Sequence, residues 1–262
     1  MGCQRRMRAH RACSPARPFR ASWQNVVNAI HSTLQQTDNS TESAMYLFET
    51  LMVFVLPVGW LVVRLADRAP QYARTERPRD GFFVRWRWRS QAVPIINAAA
   101  WGLIAYAGRH LDRITLALVL LHTSILLLIL VVDAETRLIP DVVIWPAILF
   151  ACLAIPLDSR VAFPNALLAG VGGFLTFFLL AVLTRGGFAL GDANLALYIG
   201  LITGHPDVWR ALIYGIFIGG GIIVVLLLMR RVTLKTYVPY GPFLCLGAWL
   251  TLLLQISGRG VG

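Results

Sequence analysis

The stretch Leu128-Ile129-Leu130-Val131-Val132-Asp133-Ala134-Glu135-Thr136-Arg137-Leu138-Ile139-Pro140-Asp141 decides the fold. It ends a mostly apolar run that begins at Ile114, places a carboxylate where that run stops, and restarts after a proline with Val142-Val143-Ile144. A run of this length matches the roughly 20 apolar residues that a helix needs to cross a hydrocarbon core about 30 Å thick. No water is available there, so each segment must satisfy its own backbone hydrogen bonds, which selects helices.

The whole chain agrees with this stretch. Its 262 residues are 57% apolar and 14% charged, and the mean hydropathy is +0.64. A soluble domain carries about a quarter charged residues, so an ordinary cytosolic enzyme and a disordered assembly are both excluded. The net charge of +11 does not indicate a nucleic-acid-binding domain, because most basic residues gather in the first twenty residues and in Arg64–Arg89. Cys3, Cys13, Cys152 and Cys245 are far apart and form no CxxC pair, so neither a disulfide framework nor a zinc site is indicated.

Eight candidate spans follow: Tyr46–Val63, Ala92–Ala107, Ile114–Val132, Val142–Leu157, Val161–Leu183, Leu190–Thr203, Val208–Met229 and Pro239–Ile256, the second, fourth and sixth being short. The expected fold is an all-α polytopic membrane protein of about eight transmembrane helices. The loop 64–91 is the most basic internal loop, and positive charge marks the cytoplasmic side. Counting from it, the loops at Arg137, Arg185 and Arg230-Arg231-Lys235 are also cytoplasmic, with both termini outside.

Residues 1–44 do not fit that scheme, since their arginines would lie outside. They are expected to be a disordered extension or the product of an upstream start, with initiation at Met45. Residues 45–262 are expected to form the membrane domain.

Few carboxylates touch the apolar spans. Asp133 ends the third and Asp192 opens the sixth, 59 residues later. Two crossings lie between them, so both fall at the cytoplasmic edge. Ionisable groups there are costly and mark function when they face the bundle interior. Two carboxyls a few ångströms apart share one proton. The ionised member can then deprotonate water while the protonated one polarises a scissile carbonyl, with no metal or other cofactor and no covalent intermediate. Either aspartate can hold the proton. Gly191 would let a substrate backbone approach Asp192, and Pro140 would stop one helix and open the next. The competing interpretation is that these carboxylates only cap or snorkel, with Asp192 an N-cap of the sixth span. On residue types alone both stay open.

The motifs in this order resemble the type IV prepilin peptidases, bacterial GxGD-type membrane aspartyl proteases. Asp133 lies eight residues before Asp141 of Leu138-Ile139-Pro140-Asp141, similar to the family's aspartate before an (I/L)PD motif. Ala189-Leu190-Gly191-Asp192-Ala193-Asn194-Leu195 resembles GxGDxKL. Pro239-Tyr240-Gly241-Pro242-Phe243-Leu244 looks like PFGPFL, and Val58-Gly59-Trp60-Leu61-Val62-Val63-Arg64-Leu65 is similar to GSFLNVVxxRLP.

The resemblance covers Met45 to the C-terminus. It implies Asp133 and Asp192 as catalytic residues, with Gly191, Asp141, Pro140 and Asn194 in support. The implied substrate is the apolar helix and basic leader of a prepilin or pseudopilin, cleaved at the cytoplasmic face of the cell membrane. Three departures stand out: Ala189 replaces a glycine, Asn194 replaces a lysine, and loop 64–91 lacks the cysteines of the zinc insertion associated with N-methylation. Methyltransferase activity is therefore not expected. The first two departures leave a catalytically impaired assembly factor as the alternative. A proton-coupled transporter ranks last, because no repeat is seen and both aspartates sit at an edge.

Arg85-Trp86-Arg87-Trp88-Arg89 interleaves cations with aromatics beside a span, as an interfacial anchor on anionic lipid does, rather than a nucleic-acid surface. His122, beside Thr123 and Ser124, is expected to be an interhelical hydrogen-bond partner and not a metal ligand. Gly170, Gly172, Gly173, Gly215, Gly219, Gly220 and Gly221 are expected to form small-residue packing surfaces.

Overall fold

The computed structural model describes residues 57–68, 89–184, 189–230 and 240–259. The expectations for residues 1–44 and for the aromatic–arginine run through Trp88 lie outside the described residues, as do those for Arg185 and the Arg231-to-Lys235 loop.

The described chain is helical throughout. Residues 57–68 form α1, followed by α2 (Arg89–Ala107), α3 (Arg113–Thr136) and α4 (Asp141–Ala154), which runs into a 3-10 turn at Ile155–Leu157. Then come α5 (Phe163–Leu183), α6 (Leu190–Thr203), α7 (Asp207–Leu228) and α8 (Gly241–Arg259). By length and composition α3, α5, α7 and α8 can each cross a membrane, while α4 with its 3-10 extension and α6 are shorter apolar helices. Large apolar side chains point outward, among them Leu149, Leu168, Phe217 and Leu228. Such a surface suits lipid and would be a liability in water. The protein is a polytopic helical membrane protein.

α1 runs beyond the expected end of its span, through Arg64 to Arg68. Val62, Val63 and Ala66 pack on Val93 of α2 and on Leu128, Val131 and Val132 of α3, so this turn has a core of its own. The Arg64 guanidinium lies 3.4 Å from the Trp60 ring centre, a cation–π contact that covers its charge locally.

α3 begins where Asp112 Oδ2 accepts a hydrogen bond from Thr115 N–H at 2.9 Å, the normal service of an N-cap aspartate. Ser159 Oγ donates to the other oxygen at 2.6 Å. That hydroxyl first, and the Thr115 N–H second, hold the Asp112 carboxyl below its ordinary value. At the far end Arg137 adopts the left-handed conformation with φ 57°, and its N–H donates to Asp133 O. Pro140 is the N-cap of α4, one position earlier than the first-turn role expected for it, with φ −67° and ψ 135°. The ring still ends one helix and opens the next, because an extended residue suffices at that position.

The Asp112 end of the bundle is tied by Arg160, a fully buried side chain that donates to Gln255 Oε1 of α8 and to Ile202 O of α6, each at 3.4 Å, and is neutralised within its own loop by Asp158. Its Nη2 lies 2.6 Å from Asp158 Oδ2, and its Nε donates to Asp158 Oδ1 at 3.0 Å. Gln255 near the end of α8 donates to the Thr203 carbonyl of α6 at 3.1 Å. The C-terminal ends of α6 and α8 therefore meet here, and their N-terminal ends lie together at the opposite end of the bundle, beside the end of α3.

Close helix approach depends on particular glycines, and these differ in part from the expected set. Gly170, Gly173, Gly215 and Gly219 do pack against neighbours, whereas Gly220 and Gly221 have open space beside them among the described residues. The tightest crossings use Gly200 and Gly247 instead. A Cβ at Gly200 would lie 2.4 Å from Ala169 O on α5, and one at Gly247 would lie 2.4 Å from Ala211 O on α7. Both obstacles are backbone, which cannot swing away as a side chain can. Gly200→Ala is expected to destabilise the protein by about 1–3 kcal/mol, measured as a lower thermal midpoint in detergent. Gly220→Ala is expected to be neutral or slightly stabilising, and equal midpoints for the two variants would contradict this packing.

Candidate active site

Asp133 lies in the last turn of α3 and Asp192 in the first turn of α6, and each is about one-twentieth exposed or less. Asp192 is close enough for its charge to act on Asp133. The two groups also act together on Cys245 of α8. The structure thus brings the two expected aspartates into one buried neighbourhood at a single end of the bundle, where two uncompensated charges would be expensive.

The third wall of this neighbourhood is the start of α8. Gly241 is pressed against Asp133: a Cβ there would lie 2.5 Å from Asp133 Oδ2 and 3.3 Å from Ile139 Cδ1. The Gly241 backbone N–H is directed at the Asp133 carboxyl. Gly191 meets the same Ile139, with a hypothetical Cβ 3.2 Å from Ile139 Cβ. Ile139 therefore wedges between the residue preceding Asp192 and the glycine facing Asp133. The link 137–140 that carries it is held by Thr136 Oγ1, which donates to Leu138 O at 2.9 Å.

The two carboxyls are satisfied differently. Asp192 Oδ2 accepts a hydrogen bond from Ala189 N–H at 3.1 Å. Asp192 is thus at the third position of α6 and Ala189 is the N-cap, so the aspartate reaches back to cap the helix without being the N-cap itself. Asp133 Oδ2 is buried and has no hydrogen-bond partner among the described residues. Ala189 has φ −83° and ψ 153°, an extended backbone open to any residue. Alanine in place of glycine carries no backbone strain there.

The expected supporting residues divide. Gly191 belongs to this neighbourhood through Ile139, and buried Pro140 follows Ile139 as the N-cap of α4. Asp141 is exposed in the first turn of α4. Asn194 is half-buried, and it lies two residues after Asp192 in a helix, a spacing at which side chains do not face each other. Gly241, Ile139 and Cys245 were not singled out from sequence. The signal for Gly241 was its place in Pro239-Tyr240-Gly241-Pro242-Phe243-Leu244, the stretch that resembles PFGPFL. Among the described residues no group of three His, Cys, Asp or Glu side chains could hold a metal ion.

These features define a class: a polytopic helical membrane protein with two carboxyl groups buried together at one end of the bundle. Comparison with known proteins narrows it. Residues 120–227, from within α3 to the end of α7, match the Type IV leader peptidase family. The prepilin leader peptidase/N-methyltransferase of Pseudomonas aeruginosa is 27% identical over 166 residues, 61% of this chain and 57% of its own length. Its namesake in Bacillus subtilis is 30% identical over 133 residues, 50% of this chain and 52% of its own. That of Aeromonas hydrophila is 27% identical over 169 residues, 63% of this chain and 54% of its own. The chain spans a little over half the length of these curated relatives. No solved structure matches it. The chain is thus similar to the type IV leader peptidase family over residues 120–227.

Gly241→Ala must push the Asp133 carboxyl aside, because the colliding atom is the carboxyl oxygen itself. It is expected to lower by more than about tenfold any activity that depends on the Asp133 carboxyl, at normal membrane insertion. An Asp133-dependent activity left unchanged would show that this contact does not shape the site.

Proposed function

We propose that the protein is an aspartic-type endopeptidase that removes the basic leader of prepilin-like proteins at the cytoplasmic face of the cell membrane. The observation that carries this proposal is the joint burial of Asp133 and Asp192 against the Gly241 backbone. The substrate's apolar helix lies in the bilayer between the spans, so its scissile bond presents itself at the level where α3 ends and α6 begins.

In this mechanism the pair holds one proton between its two carboxyls. The ionised member takes a proton from water as the oxygen attacks the scissile carbonyl carbon, and the protonated member hydrogen-bonds the carbonyl oxygen. Collapse of the tetrahedral intermediate then passes a proton to the leaving amine. Asp133 Oδ2 is the buried oxygen without a partner among the described residues, so it is the atom best placed to engage water or substrate. Gly191 and Gly241 leave room for a substrate backbone beside both carboxyls. Arginines in 64–89 would meet anionic lipid headgroups at the same membrane face. N-methyl transfer, named for the relatives, is not part of the proposal, because residues 64–91 contain no cysteine.

The alternative, a catalytically impaired assembly factor, rests on Ala189 and Asn194. The extended backbone at Ala189 and the position of Asn194 away from Asp192 both weaken it.

Asp133→Asn and Asp192→Asn are each expected to abolish leader removal, a loss of at least about 10²-fold, while the protein still inserts. The assay uses a peptide with a basic leader, a glycine and an apolar helix. A pair that works with one shared proton also gives a bell-shaped dependence of kcat/KM on pH. Normal processing by either variant would discard the proposal. Ala189→Gly with Asn194→Lys is expected to change the rate by less than about threefold, and a large gain would favour the impaired reading instead.

A further inference from the structure

Eleven residues before Asp133 on α3, and six after Asp192 on α6, the two aspartate-bearing helices are joined by a buried polar bond. His122 Nδ1 and Tyr198 Oη are 2.9 Å apart. His122 is 2% exposed and Tyr198 is fully buried. The imidazole is also held in place by rings, with Phe150 of α4 at 5.4 Å and Tyr198 at 5.9 Å between centroids. Tyr198 in turn lies close to Cys245, which lies close to both aspartates.

α3 and α6 have little direct packing along their lengths: α3 packs mainly on α8 and α2, α6 mainly on α5, and the two share α4 and α8 as intermediaries. Apolar packing through intermediaries fixes the distance between two helices well. It fixes their relative height poorly, because apolar contacts are not directional. A hydrogen bond in a low-dielectric interior is directional, and it is costly to leave half-made.

We propose that the His122–Tyr198 hydrogen bond is a positioning element of the candidate site, setting the height of α6 against α3 and so of Asp192 against Asp133. This inference rests on the paired-carboxyl reading given above. Neither residue touches the reacting atoms.

The test uses the full chain in detergent and the same leader peptide. Tyr198→Phe removes the hydroxyl and little volume. It is expected to lower kcat roughly 10- to 100-fold, as a displacement near 1 Å does, with KM changed by less than about twofold. His122→Asn, which can still hydrogen-bond the phenol, is expected to recover more of kcat than His122→Leu. A purely structural role would lower the amount of folded protein and leave kcat per folded molecule unchanged in all three variants, which would overturn the proposal.

A second readout needs no catalysis: oxidative cross-linking of Asp133→Cys with Asp192→Cys in a chain whose native cysteines are replaced by alanine. Rapid cross-linking that slows when Tyr198→Phe is added supports the proposal, and an unchanged rate overturns it. If the parent pair does not cross-link at all, the paired-carboxyl reading fails and takes this inference with it.

Discussion

The structure depends on the accommodation of two carboxyl groups inside an apolar bundle. Burying one such group without partners costs several kcal/mol, and burying two together adds their mutual repulsion. The chain meets this cost with backbone. The N–H of Ala189 serves Asp192 and the N–H of Gly241 faces Asp133, each from the start of a helix, where backbone amides lack intrahelical partners. Two further consequences follow. Three helix ends must converge at one level, and the residue of α8 that touches Asp133 can carry no side chain.

The rest of the bundle can be seen as support for that convergence. The far end is tied by Arg160 reaching Gln255 and the Ile202 carbonyl, and by Gln255 reaching the Thr203 carbonyl. Gly200 and Gly247 bring α6 onto α5 and α8 onto α7 at backbone contact. The helices that carry the site are thus clamped along their length, while α5 and α7 present wide apolar faces outward. The side facing lipid and the side facing the carboxyls differ in what they demand. Outward positions need only be apolar, whereas inward positions need a particular shape.

That difference explains what could be read from sequence. The apolar runs and the breaks between them foretold the helices, because hydrophobicity over a span is a property of composition. The shared end of Asp133 and Asp192 followed from counting crossings, which requires no knowledge of packing. Contacts between helices were less legible. Gly200 and Gly247 look no different from Gly220 in an apolar segment, since sequence does not say which face of a uniformly apolar helix is inward. His122 announced itself as a hydrogen-bonding residue, but its partner is 76 residues away, and nothing local singles out Tyr198. The extension of α1 past Val63 was hidden by its arginines. They mark the edge of a membrane without marking the end of a helix.

The departure at Ala189 acquires its meaning once the backbone is known. A glycine is irreplaceable where φ is positive or where a neighbour occupies the place of its Cβ. Ala189 meets neither condition on its dihedral angles, and its N–H still reaches Asp192, so its methyl group leaves the helix cap intact. Gly191 and Gly241 are the crowded positions, with Ile139 against both and the carboxyl of Asp133 against the second. The chain keeps glycine at both. A motif letter can drift where the backbone does not need it, and at Ala189 the drift falls on a position with ordinary geometry.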